Sequence, residues 1–328
     1  MKIDIHSHCI PETFIQKIRD NEIEDHVRII ISEDGKEALL LNGRKGPPLT
    51  EDFLNPEKKI KGMDKRGIDV HALSISPPLY LYGLPDKVGT AIARTINDDI
   101  MGIVNKYPGR FIGLATLPMQ NLELALKEME RSLSMGMKGL SIGTSLNEEV
   151  YFDHPKFIPF FASVQKAGCP VVLHPPHVPL NPRLDSYHLV NLIGNPLDTT
   201  IGMARIVFGG ILEKFPELKL CFVHAGGQVP YLMGRFDHGF RVRKECKKNI
   251  FKPPSEYIKM LYYDTITHHP LALKYLIEQM GSDHIVIGSD DPADMADYNS
   301  YNILETMDIS ENEKEMIYGK NAQLLFNL

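Results

Sequence analysis

Eight short apolar runs recur along the chain, at residues 3–6, 70–76, 111–116, 138–142, 170–174, 219–224, 261–265 and 284–289. Each is aliphatic or β-branched and nearly continuous in hydrophobicity. Runs of this kind suit parallel strands buried on both faces. The stretches between them carry helical spacing instead. Val88, Ala91, Ile92, Thr95, Ile96, Ile100 and Ile103 fall on one stripe within 86–107, and Leu122, Leu126, Met129 and Leu133 do so within 121–135. Segments 155–168, 196–215 and 270–280 read as helices too. Ser310 with Glu313 three positions on forms a capping box at the start of another. No repeat of fixed period underlies the alternation. Eight strand–helix units in 328 residues predict an α/β chain folded as a (β/α)8 TIM barrel. A doubly wound open sheet is the alternative, but it would not bring the first and last strands to one point.

Between strands one and two, Val27-Arg28-Ile29-Ile30-Ile31 and Ala38-Leu39-Leu40-Leu41 flank Glu33-Asp34-Gly35-Lys36. An Asp-Gly turn between apolar runs predicts a hairpin. We read about 20–55 as a small β-hairpin insertion over the barrel mouth and the rest of 1–328 as one domain. Residues 175–197, rich in Pro and Asn, form a second long connection after strand five, in the position of a lid.

The formal net charge of -6 gives no reason to expect nucleic acid or an anionic membrane as partner. No apolar run approaches the roughly 18 residues of a spanning helix, and residues 1–5 lack the apolar stretch of a signal peptide. The expected compartment is the cytoplasm. The four cysteines, Cys9, Cys169, Cys221 and Cys246, form no C-x-x-C pair and read as free thiols.

Five metal-type side chains sit where the strands end. His6 and His8 close the first run, His174 the fifth, His224 the sixth and Asp290 the eighth. TIM barrels carry their chemistry at the C-terminal ends of strands. Imidazoles with one carboxylate suit zinc, and manganese, iron or cobalt also fit. Asp264, near the end of strand seven, is placed to orient a ligand histidine. His177, in His174-Pro175-Pro176-His177, lies on the loop after strand five, either against substrate or facing solvent.

These features resemble the amidohydrolase superfamily, and within it the decarboxylase branch. The matching pieces are Ile3-Asp4-Ile5-His6-Ser7-His8, Met63-Asp64, Gly67-Ile68-Asp69-Val70, Val172-Leu173-His174-Pro175 and Cys221-Phe222-Val223-His224-Ala225-Gly226-Gly227. They continue with Gly234-Arg235, Pro253-Pro254-Ser255-Glu256-Tyr257, Gly288-Ser289-Asp290 and Gly319-Lys320-Asn321-Ala322. The resemblance implies a divalent metal held by His6, His8, His174 and Asp290. It implies an acid/base at His224 that activates water there, so that His224 and Asp290 carry the chemistry. It also implies a homodimer that lends Arg235 to a substrate carboxylate. The implied reaction is metal-dependent, non-oxidative decarboxylation of a small unsaturated or aromatic carboxylic acid. Hydrolysis or hydration of a lactone, amide or unsaturated acid on the same metal is the alternative. Related aromatic decarboxylases often carry an acidic residue in place of the first His, so the His-Ser-His start favours zinc over manganese. Two departures concern the substrate. The family's carboxylate-binding Arg on the insertion aligns near Pro47, so either Arg44 or Lys45 just before it replaces that Arg or the contact is absent. Asp291 stands where the family has Tyr, and it either repels a dicarboxylate or points away.

Overall fold

Runs that are apolar on both faces need a neighbour on each side and a layer on each face, and a closed barrel supplies both. In the structure, a computed structural model that describes residues 1–20, 22–23, 26–41, 43–176 and 181–328, all eight expected runs become strands. They are β1 (Ile3–Cys9), β5 (Val70–Ile75), β6 (Phe111–Ala115), β7 (Gly139–Gly143), β8 (Val171–His174), β9 (Leu220–Phe222), β10 (Tyr262–Asp264) and β11 (Ile285–Val286). They lie side by side in that order, and every ladder is parallel. The last strand returns to the first through Ile5 N to Ile287 O, Asp290 N to His6 O and His8 N to Asp291 O, each 2.8 Å. This is a (β/α)8 barrel. Helices Pro56–Arg66, Asp86–Lys106, Leu122–Ser134, Ile158–Ala167, Asn195–Phe208, Val229–Val242 and Pro270–Met280 fill the connections. The expected helix over 196–215 breaks at Gly209-Gly210, where Gly210 takes φ 74, and restarts as Ile211–Lys214. The Ser310–Glu313 capping box is present.

The barrel interior is a cluster of Ile3, Ile5, Val70, Ala72, Ile112, Leu114, Val172, Cys221, Val223 and Val286, with Ala322, Leu325 and Phe326 of the last helix packed on it. Phe326 closes against Gly139, where a Cβ would meet its ring at 3.1 Å. Gly139 begins β7, so the C-terminal helix plugs the end of the barrel opposite the strand tips.

The insertion holds more than a hairpin. β2 (Val27–Ile31) and β3 (Glu37–Leu41) pair antiparallel as expected, and β4 (Arg44–Pro48) adds a third strand on the far side of β3. Two prolines are tolerated there because an edge strand leaves one row of N–H groups unpaired. Among the described residues, no helix is long and apolar enough to cross a membrane.

Candidate metal centre

Strict alternation along β1 cannot point Ile3, Ile5, His6 and His8 the same way. The structure resolves this with one extra residue. Asp4 pairs with His71 but Ser7 pairs with Leu73, so β1 spends three residues where β5 spends two. This bulge switches the inward face from the odd to the even positions. Below it, Ile3 and Ile5 fill the barrel. Above it, His6 and His8 face inward and Ser7 turns out to donate to Ala72 O at 2.9 Å.

One donor atom each from His6, His8, His174 and Asp290 lies within 4.8 Å of all the others. The three histidines are buried, and the Asp290 side chain is 13% exposed. Each imidazole has its Nδ1 tied to an acceptor. His6 Nδ1 donates to Asp264 Oδ2 at 2.8 Å and His174 Nδ1 to Pro175 O at 2.9 Å. His8 Nδ1 donates to Ser74 Oγ at 3.0 Å, whose own proton goes to Ser7 O. With Nδ1 protonated, a neutral ring presents a bare Nε2 lone pair. His6 Nε2 and His8 Nε2 then sit 3.1 Å apart, with Asp290 Oδ1 3.0 Å from the second and 3.4 Å from the first. Lone pairs and a carboxylate crowded this closely repel unless a proton or a metal cation lies between them. The donor set, three nitrogens and one oxygen with their outer partners fixed, fits a divalent transition ion.

The electrostatics agree. Burial opposes charge on His6, but Asp290 and then Asp264 outweigh it and raise its pKa to about 10. A bound cation would take that proton's place. Burial and then the neighbouring imidazoles push His174 well below its ordinary value.

His224 stands beside the cluster, its ring centroid 4.9 Å from that of His174. Its Nδ1 donates to Thr199 Oγ1 at 3.2 Å, and that hydroxyl gives its proton to Asn195 O. Burial, then the charge on His6, lowers its pKa to about 4. His224 and Asp290 adopt φ of 55 and 62, a left-handed backbone that side chains other than glycine adopt only when the surroundings hold it. Both are held. Asp264 Oδ2 also accepts His224 N at 3.0 Å, and its Oδ1 accepts Ala225 N at 2.7 Å. The orienting role expected of Asp264 is therefore met, and it serves a strand end as well as a ring. Ser74 and Thr199 were not legible as site residues, since a hydroxyl within an apolar strand or helix carries no distinctive spacing.

The expected substrate contacts are less gathered. Arg235 is exposed on helix Val229–Val242 and has no hydrogen-bond or ion-pair partner among the described residues. Lys45 is exposed on β4. Arg44 begins the same strand, its side chain outside what is described, and His177 lies outside the described residues. Asp291 does not face the cluster of His6, His8, His174 and Asp290. Its carboxylate points outward to Lys59 and to Arg66 Nη2 at 3.0 Å.

A family model described as amidohydrolase matches residues 3–328. The 2-amino-3-carboxymuconate-6-semialdehyde decarboxylase of Dictyostelium discoideum is 30% identical over 326 residues, 98% of this chain and 90% of that protein. The IDCase of Metarhizium anisopliae, in apo form, superposes with a TM-score of 0.87 at 24% identity over 100% of this chain and 97% of the other. A dihydroxybenzoic acid decarboxylase from Polaromonas with bound manganese and the inhibitor 2-nitroresorcinol does so at 0.82, with 26% identity, over 100% and 97%.

Proposed function

We propose that this chain, which belongs to the amidohydrolase family, is a metal-dependent carboxy-lyase that removes CO2 from a small unsaturated or aromatic carboxylic acid without oxidation. The observation that carries this reading is the set of three imidazoles with Nδ1 tied off and Nε2 converging on Asp290. We assign His6, His8, His174 and Asp290 as the metal ligands, with zinc the ion that three nitrogens and one oxygen favour. A divalent ion bound there acts as a Lewis acid that stabilises the negative charge building up as CO2 leaves.

The chain's own groups do the rest. Loss of CO2 leaves an electron pair on carbon, and a proton must reach that carbon. His224, with Nδ1 committed to Thr199, has Nε2 free to take a proton and hand it on. Thr199 keeps the ring in that tautomer. Arg235 supplies a fork for a substrate carboxylate, in the neighbouring subunit of a homodimer. Its helix supports this assignment. Tyr231, Arg235, His238 and Val242 recur on one face, with Tyr231 81% and Val242 59% exposed, which is an amphipathic face suited to a twofold contact.

Two measurements test the reading. Zinc-loaded protein should release CO2 from some member of a panel of aromatic and unsaturated acids. Water uptake into lactones or unsaturated acids, with no CO2 released, would favour the hydrolase or hydratase alternative. Mixing Arg235→Ala chains with His6→Ala chains should restore part of the activity that each homodimer lacks. No recovery in verified mixed dimers would end the shared-site assignment.

A further inference from the structure

Next to the ligand Asp290 stands a second aspartate whose side chain takes the opposite direction. Asp291 is 7% exposed and its carboxylate is fully engaged. Oδ1 accepts from Arg66 Nη2 at 3.0 Å and Tyr298 Oη at 2.9 Å, and Oδ2 accepts from Lys59 Nζ. Lys59 is itself only 3% exposed. Both cations come from the outer helix Pro56–Arg66, and the Arg66 guanidinium lies 4.4 Å over the Tyr298 ring. The backbone is fixed as well. Asp291 N donates to Ser289 Oγ at 3.2 Å, and Asp291 O accepts the amide of His8, another assigned ligand, at 2.8 Å.

We propose that Asp291 is a positioning residue of the metal centre. Its carboxylate, locked by Lys59 and Arg66, holds the strand tip so that the neighbouring Asp290 carboxylate meets the metal. This rests on the metal-centre reading above. A buried ion pair gives little stability over a well-packed apolar pair, because desolvation offsets most of the attraction. What several donors around one carboxylate do provide is direction. Asp290 needs it, since its φ of 62 is a conformation that relaxes once its flank is released. Relaxation would carry Oδ1 away from its place 3.0 Å from His8 Nε2. The clamp thus joins the outer helix to two ligand-bearing strand ends, β1 through the His8 amide and the tip beyond β11 through Asp290.

The test uses cobalt(II) in place of the native ion, with affinity read by competition against a chelator and ligand geometry by the visible absorption band. Denaturation midpoints are measured beside them. Asp291→Asn should bind cobalt about 10- to 100-fold more weakly and shift the band. Lys59→Met/Asp291→Leu removes the buried pair and leaves Arg66, 22% exposed, to water, so it should recover stability relative to Asp291→Asn while affinity stays low. That double variant carries the test if the single one does not fold. A folded variant with wild-type affinity and an unshifted band overturns the proposal, as does a double variant that recovers affinity together with stability. Wild-type protein that binds no cobalt overturns the metal-centre reading, and the proposal falls with it.

Discussion

Replacing Asp264 with Asn should damage the centre without touching a ligand. The two carboxylate oxygens serve four donors. Oδ2 accepts His6 Nδ1 at 2.8 Å and His224 N at 3.0 Å, and Oδ1 accepts Ala225 N at 2.7 Å and Ile266 N at 3.2 Å. An amide offers one oxygen and one NH2 group, so one pair of N–H donors must face another donor. Hydrogen bonds to a charged group contribute about 1.5–3 kcal/mol each. Losing two therefore costs about 3–6 kcal/mol, a large share of the roughly 5–15 kcal/mol of a typical domain. If the amide turns its NH2 toward His6, Nδ1 must become an acceptor. The proton then moves to Nε2 and blocks the ligand position. Urea denaturation of the metal-free protein reads the first effect, and chelator competition for zinc reads the second, expected at about 10- to 100-fold. A variant with both the midpoint and the zinc affinity of wild type would refute the reasoning.

His224→Asn should keep its metal and lose about 10²- to 10⁴-fold in turnover; metal analysis and steady-state rates check both, and loss of the ion would make His224 a ligand instead. Glu128 is buried under Arg131 Nη2 at 2.8 Å and Asn97 Nδ2 at 2.8 Å. Burial works against its charge, yet Arg131 and Asn97 prevail and lower its pKa. A depressed carboxyl stabilises the fold above its unfolded pKa and stops doing so as pH falls through its folded value. Glu128→Gln should thus cost about 2 kcal/mol near neutrality, and the gap to wild type should close as pH drops below the ordinary 4.5; a gap unchanged at pH 2 would count against the pairing. Burial pushes the thiols of Cys9 and Cys169 up to about 12 and that of Cys221 well above its usual value. Only Cys246, half-buried, should react quickly with a thiol reagent in the native protein, and all four should react after denaturation.

The strands, and the four side chains His6, His8, His174 and Asp290 that converge at their tips, were legible because both follow from local pattern. An apolar run with a histidine at its end announces a strand tip, whatever the rest of the chain does. Reading stopped where long-range packing chose among equivalent letters. Arg44-Lys45-Gly46-Pro47-Pro48 has no strand propensity and pairs only because β3 offers it an edge. The run over 284–289 forms just two ladder residues, since the chain beyond Val286 bends to bring Asp290 inward. Asp290 and Asp291 are identical in type, and only the left-handed backbone at Asp290 and the cations of the outer helix send one toward the histidines and the other to Lys59. Lys59 is one of four lysines within Pro56–Arg66, distinguished only by its burial.

The four proposed ligands are also spread over the order of synthesis. His6 and His8 are made before His174, and Asp290 follows both. Domains fold as units during synthesis, so the two early histidines meet their carboxylate only once the stretch that carries Asp290 has been made. Only when the stretch after β11 reaches β1, through Ile287 O and the amide of Ile5, do four donors face one point. Because ion binding adds its free energy only to a complete site, a shortened product that ends before Asp290 gains none of that stabilisation. Uptake of the ion would thus distinguish chains that reach Asp290 from chains that stop short of it.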